Sequence, residues 1–76
     1  MLTTASDWFE SREDFMRVCL DALSQAKGES AEEFVARMLT EAKQHGLDTP
    51  VSDRQMRWLC NIADALMPPR RAKGRL

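Results

Sequence analysis

Histidine and cysteine are nearly missing from this 76-residue chain, which has one His, two Cys and no Tyr. Cys19 and Cys60 lie about forty positions apart and His45 stands alone, so no zinc-ligand spacing exists. A secreted disulfide scaffold would be denser in cysteine. The two thiols therefore read as reduced, inert core hydrophobes, with no metal and no cofactor. Three glycines are too few for a phosphate-cradling loop. No stretch alternates apolar and polar residues with strand period, and β-branched residues are sparse, which argues against a sheet. The N-terminus, MLTTASDWFESRED, lacks the basic start and apolar run of a secretory signal. Nor does any window approach the ~20 apolar residues that span a bilayer. The expectation is a soluble, cytoplasmic protein of a reducing compartment.

Catalytic constellations are also lacking. Glu10, Glu13, Asp14 and Asp21 fall on one polar face with no histidine or calcium loop converging on them, so they read as a solvated surface. His45 falls at a helix end, where a dipole role suits it, and no nucleophile accompanies it. The residues thus point away from an enzyme.

What is present is helical punctuation. The spacing predicts helices over 6–27, 30–45 and 52–67. Gly28 stops the first. Ser30 and Glu33 have capping-box spacing for the second, which ends at Gly46 after Lys43 and His45. Ser52 and Gln55 make another capping box, Val51 and Met56 fit a hydrophobic staple, and Pro68-Pro69 ends the third helix. The apolar stripes predict a core of Trp8, Phe15, Cys19, Leu23 and Ala26; Phe34, Val35, Met38, Leu39 and Ala42; and Met56, Leu59, Ile62, Ala63 and Leu66. The predicted fold class is all-α: a small three-helix bundle over residues 1–67 with a short disordered basic C-terminal tail over 68–76. A chain this short buries only about 60% of its unfolded surface and gains a few kcal/mol at best, roughly 3–5, unless something staples it.

Charge is segregated. Residues 1–50 carry 5 Lys/Arg and 10 Asp/Glu, whereas residues 51–76 carry 6 and 2, so a balance of −5 faces one of +4 within a net −1. Such a dipolar chain steers partners by sign. Its positive end holds the residue types that dominate binding hot spots. Arg54, Arg57, Trp58 and Asn61 share the third helix, and Arg70 and Arg71 open the tail, with Lys73 and Arg75 beyond. These six, from Arg54 to Arg71, are the candidate partner-binding residues. A second apolar stripe, Phe9, Met16 and Leu20, is a candidate homodimer face.

The unit formed by the second and third helices invites comparison with a helix-turn-helix, with Ser52, Arg54, Gln55, Arg57 and Asn61 toward the bases. The six-residue connector 46–51 exceeds the usual turn, and a pI of about 5.7 falls well below the basic footprint of above ~9. The pattern S-x-x-Q-x-x-W-L-x-x-I-A, borne by Ser52, Gln55, Trp58, Leu59, Ile62 and Ala63, resembles a capped helix of small accessory proteins from phages and mobile elements. It covers twelve of 76 residues. The resemblance implies a class that includes anti-CRISPR proteins and phage inhibitors of host polymerase, which dock on host machinery; other members bind DNA or regulate transcription. It carries over no catalytic residue. The expected function is a non-catalytic binding protein that inhibits or regulates a host protein or nucleoprotein complex. The alternative is a DNA- or RNA-binding regulator using the third helix's arginines and the tail.

Overall fold

The structure, a computed structural model, describes residues 3–70. It is an all-α three-helix bundle. α1 spans Arg12–Gln25, α2 spans Glu29–His45 and α3 spans Asp53–Ile62, with single 3-10 turns at Ala5–Asp7 and Gly46–Asp48. Among the described residues no strand forms, but Thr4 and Pro50 make an isolated antiparallel bridge. Ala5 N–H donates to Thr49 O at 2.9 Å, Val51 N–H donates to Thr3 O at 3.0 Å, and the Thr3 hydroxyl donates to Val51 O. This bridge pins residues 3–5 to the α2–α3 connector. It is a contact between distant segments that carry no strand pattern of their own.

Helix boundaries differ from the sequence expectation in four places. The stretch 6–27 is not one helix. Ser11 Oγ accepts from Asp14 N–H at 3.2 Å, so Ser11 is the N-cap and α1 begins at Arg12. Ahead of it, Asp7 Oδ2 accepts from Thr4 N–H at 3.0 Å and closes a separate turn. At the other end α1 stops at Gln25, and Ala26 is already extended. Gly28 consequently serves the next helix. Its φ of +94° turns the chain directly into α2, with Glu32 N–H donating to Gly28 O at 3.0 Å. The expected Ser30–Glu33 capping box is therefore not the start of α2; both residues lie on the helix itself.

α3 starts as its sequence predicts. Gln55 N–H donates to Ser52 Oγ at 3.1 Å and Ser52 N–H donates to Gln55 Oε1 at 3.0 Å. Val51 and Met56, the staple pair, are both buried. The helix ends earlier than Pro68. Asp64 takes a left-handed φ of +56°, Ala65 N–H reaches back to Cys60 O at 2.9 Å, and Asp64 N–H reaches Asn61 O at 3.2 Å. This 6→1 and 5→2 pair is a Schellman end. It turns the chain away from the bundle, and Leu66, expected in the core, is 96% exposed. Leu23 is likewise exposed, not core, because it lies toward the solvent side of α1's buried face, which Phe15, Cys19 and Ala22 define.

The three helices do not pack symmetrically. α1 lies along both α2 and α3, whereas the backbones of α2 and α3 scarcely approach each other. The core consequently gathers around α1. Phe15 and Cys19 meet Val35, Leu39 and Ala42 from α2 and Met56, Leu59 and Cys60 from α3 in one buried cluster, which Trp8, Phe9 and Val51 close. Full burial of each large apolar side chain contributes about 1.5–3 kcal/mol. Phe9 belongs to this cluster, its ring 5.5 Å from that of Phe15, and it precedes α1. Phe9 therefore leaves the expected Phe9–Met16–Leu20 stripe for the core, while Leu20 stays exposed. Thr49 is the one buried polar residue among those described, and its hydroxyl donates to Gly46 O at 2.7 Å.

Candidate functional site

The gap between α2 and α3 is bridged by side chains rather than by close backbones. Trp58 lies roughly 150° around α3 from the centre of its buried face, on the side an isolated amphipathic helix gives to water. It keeps 41% of its surface exposed. From α2, Phe34 reaches across the gap and stacks on it, with ring centroids 4.3 Å apart and an interplanar angle of 15°. Such an offset pair contributes about 0.5–1.5 kcal/mol beyond its buried area. Phe34 is itself only half-buried. The result is an aromatic ridge that stands open to solvent.

On one flank of the ridge is a groove of about 460 Å³ whose apolar floor is Phe34, Met38, Trp58 and Pro50. Glu33, Arg37 and Glu41 rim it from α2, one turn apart, and Gln55 closes it from α3. Glu33 stands here because α2 is capped by Gly28 and not by Ser30, which leaves the Glu33 side chain on the helix face. Farther along α2, Glu41 Oε1 lies 4.0 Å from His45 Nε2. On the other flank Trp58 and Asn61 overlook a shallower hollow with Gln25, Lys27, Ala31 and Asp64. Gln25 Nε2 donates to Ala63 O at 2.9 Å there and ties the end of α3 to α1.

The six residues singled out by sequence do not form one cluster. Arg54, Arg57, Trp58 and Asn61 are all exposed on the outward face of α3. Trp58 and Asn61 adjoin the hollows, while Arg54 and Arg57 stand outside both. Arg70 lies elsewhere. Its Nη1 is 3.8 Å from Asp53 Oδ1, its Cζ is 5.8 Å from the centroid of the Trp8 ring, and Pro68 and Pro69 line a hollow with Trp8 and Phe9. Arg71, with Lys73 and Arg75, lies outside the described residues. Sequence reasoning missed the contribution of α2. The spacing predicts Phe34 in the core and Glu33 at a cap, whereas both line the groove from α2. The sequence carried no signal that set Phe34 apart from other adjacent apolar pairs, since Leu59 and Cys60 are both buried.

Among the described residues no group of three or more His, Cys, Asp or Glu is placed to hold a metal ion. Several hydroxyls are occupied structurally: those of Ser11 and Ser52 at caps, that of Ser24 on Asp21 O and that of Thr40 on Ala36 O. Cys19 and Cys60 are free and buried. Burial, aided by the nearby Cys60, pushes the Cys19 thiol up to about 12, and burial raises that of Cys60 as well. Both are protonated at neutral pH and are poor nucleophiles. No described helix is long and apolar enough to cross a membrane.

Comparison with protein-family models, with curated proteins and with solved structures finds no match for this chain. The site must be interpreted from its own geometry.

Proposed function

We propose that this is a non-catalytic binding protein whose α2–α3 groove docks on another protein, alone or within a nucleoprotein complex, and inhibits or regulates it. One observation carries the reading: Trp58, 41% exposed, is stacked on Phe34 across an open seam. Tryptophan held in one orientation beside exposed arginine is the composition of an interface hot spot. The stack fixes the indole in advance, so little side-chain freedom remains to be lost on binding. Arg54 and Arg57, on the outward face of the same helix, supply charge-assisted hydrogen bonds to a partner's carboxylates. The resemblance of α3 to helices of small phage and mobile-element proteins supports the same class of action, that of an accessory protein docking on host machinery.

Charge favours a polypeptide over nucleic acid as the groove's occupant. The groove presents two carboxylates, Glu33 and Glu41, against one guanidinium, Arg37. A phosphate backbone laid over the aromatic ridge would meet net negative charge at close range, where binding to nucleic acid relies on cations. A polypeptide inserting an apolar side chain against Phe34 and Trp58 suffers no such repulsion.

The test is capture of partners from the native host with three baits: the wild-type chain, Glu33→Arg with Glu41→Arg, and Arg54→Ala with Arg57→Ala. A protein retained by the wild type through nuclease treatment and lost with either variant supports the proposal. Capture that nuclease abolishes, with affinity falling steeply and linearly in log salt, transfers the function to nucleic acid. Partners retained equally by all three baits remove this surface from consideration.

A further inference from the structure

The surface of α1 carries a second apolar face that the groove does not use. Met16, Leu20 and Leu23 follow at i, i+4 and i+7 and form one stripe. Leu20 is 51% exposed and Leu23 41%, and together with Trp58 and Leu66 they make up the large hydrophobics left open among the described residues. A hollow of about 410 Å³ runs beside Met16 and Leu20, edged by Glu13, Arg17 and Asp21. The charges around the stripe are ordered in a particular way. Glu13 flanks its N-terminal end, while Arg17 and Asp21 sit one turn apart on its flank, all three exposed.

We propose that this face is the interface of a two-fold homodimer in which α1 packs antiparallel against α1 of a second copy, crossing at Leu20. In an isologous contact each residue meets one whose number is fixed by the axis. With Leu20 on the axis, Met16 falls opposite the second copy's Leu23, one residue from perfect register. Arg17 falls within two residues of the second copy's Asp21. The apolar pair Met16–Leu23 and the charge pair Arg17–Asp21 each form twice by symmetry. A parallel pairing would place Glu13 against Glu13 and Arg17 against Arg17, so the pattern selects the antiparallel arrangement. Size supplies a reason for a second copy. A core this small ordinarily needs a staple, and with both cysteines free, oligomerisation is one of the remaining means. A single helical face sits at the small end of specific interfaces, so the dimer is a concentration-dependent species.

Sedimentation equilibrium of the full chain from about 10 µM to about 1 mM, at physiological ionic strength, tests this. The mass is expected to rise from 8.7 kDa toward twice that value. Leu20→Glu, which sets two carboxylates on the axis, should remain monomeric throughout with a wild-type circular dichroism spectrum. Arg17→Asp should weaken association roughly tenfold by opposing Asp21. Combining it with Asp21→Arg should restore association, because the reversed pair is again complementary. These last two positions are exposed, so the variants keep the fold. A wild type that stays monomeric at the highest concentration overturns the dimer and leaves the stripe to a different protein. Self-association of Leu20→Glu at wild-type strength overturns it too, and moves the contact to another face such as the Trp58 groove. Failure of the folded double variant to recover refutes the antiparallel arrangement.

Discussion

The two tryptophans mark two kinds of helix seam. Trp8 is 4% exposed, closing the core that α1 shares with both partners, and Arg70 lies over its outer face. Trp58 stands in the seam between α2 and α3, ten times more exposed, with only Phe34 stacked against it. The contrast lies in backbone approach. Where α1 runs close to its neighbours, Phe15, Cys19, Leu59 and Cys60 fill the space and exclude water. Where α2 and α3 diverge, two aromatic rings span the gap and remain available. A bundle of three short helices arranged around one of them thus has a closed seam that holds it together and an open seam that can receive something else.

Truncation at each seam is the strongest way to break this comparison. Phe15→Ala should cost about 3–5 kcal/mol, enough to unfold a domain of this size. Trp58→Ala should cost roughly 1–2 kcal/mol, since only part of the ring is buried and the stack adds a modest increment. Urea unfolding measures both, and equal losses would show that the open seam is structural after all. Fluorescence sharpens the same point. In Trp58→Phe the remaining emission, from Trp8, should be blue-shifted and protected from iodide, while Trp8→Phe should leave a quenchable signal.

The closed seam should also respond to alkali. An unfolded Cys19 thiol ionises near 9.0, whereas the folded thiol holds its proton to about 12. Below 9.0 both states are protonated and the contribution of the buried thiol to stability is fully present. Above 9.0 the unfolded state loses its proton first, so stability declines from there and the loss is complete only as pH passes about 12. Unfolding midpoints measured between neutral and alkaline pH should fall less steeply in Cys19→Ala than in wild type, although that variant starts lower at neutral pH. An identical slope would show that burial of Cys19 does not govern its ionisation.

Smaller effects belong to positions outside both seams. Asp64→Gly should stabilise the chain by about 0.5–1 kcal/mol, because glycine takes the left-handed end of α3 without a Cβ penalty. A loss would mean that the Asp64 side chain supports the end of α3. Smallest of all, Arg54→Ala and Arg57→Ala should each shift stability by under ~0.5 kcal/mol while reducing partner affinity severalfold or more. Binding titrations paired with thermal melts separate these. Retained affinity would restrict the working surface to the groove and its α2 rim.

The existence of three helices was legible because punctuation is local. Ser52 with Gln55, Gly46 with its preceding Lys43 and His45, and the staple of Val51 and Met56 act over one helical turn, and each sits where its spacing placed it. The Ser11–Asp14 cap is equally local and was written in the chain, but it was hidden inside a longer apolar pattern. Candidate-site residues were half legible. Trp58 and its arginines stood out by composition and by their angle from the core stripe. Phe34, Glu33, Arg37 and Glu41 did not, because their role depends on how far α2 stands from α3.

The sequence by itself determined where helices can form, that Cys19, Val35, Met56 and Leu59 face inward, and that the positive charge gathers late in the chain. Those follow from hydrogen bonding within a turn and from the 3.6-residue period, both properties of a single segment. Only the tertiary structure decided that Phe9 belongs to the core, that Thr4 bridges to Pro50, that Leu23 and Leu66 stay in water, and that α2 and α3 part to expose the Phe34–Trp58 stack. Each of these depends on the distance between segments remote in sequence. That distance is set by how the side chains of all three helices fill one shared volume, and no single stripe contains it.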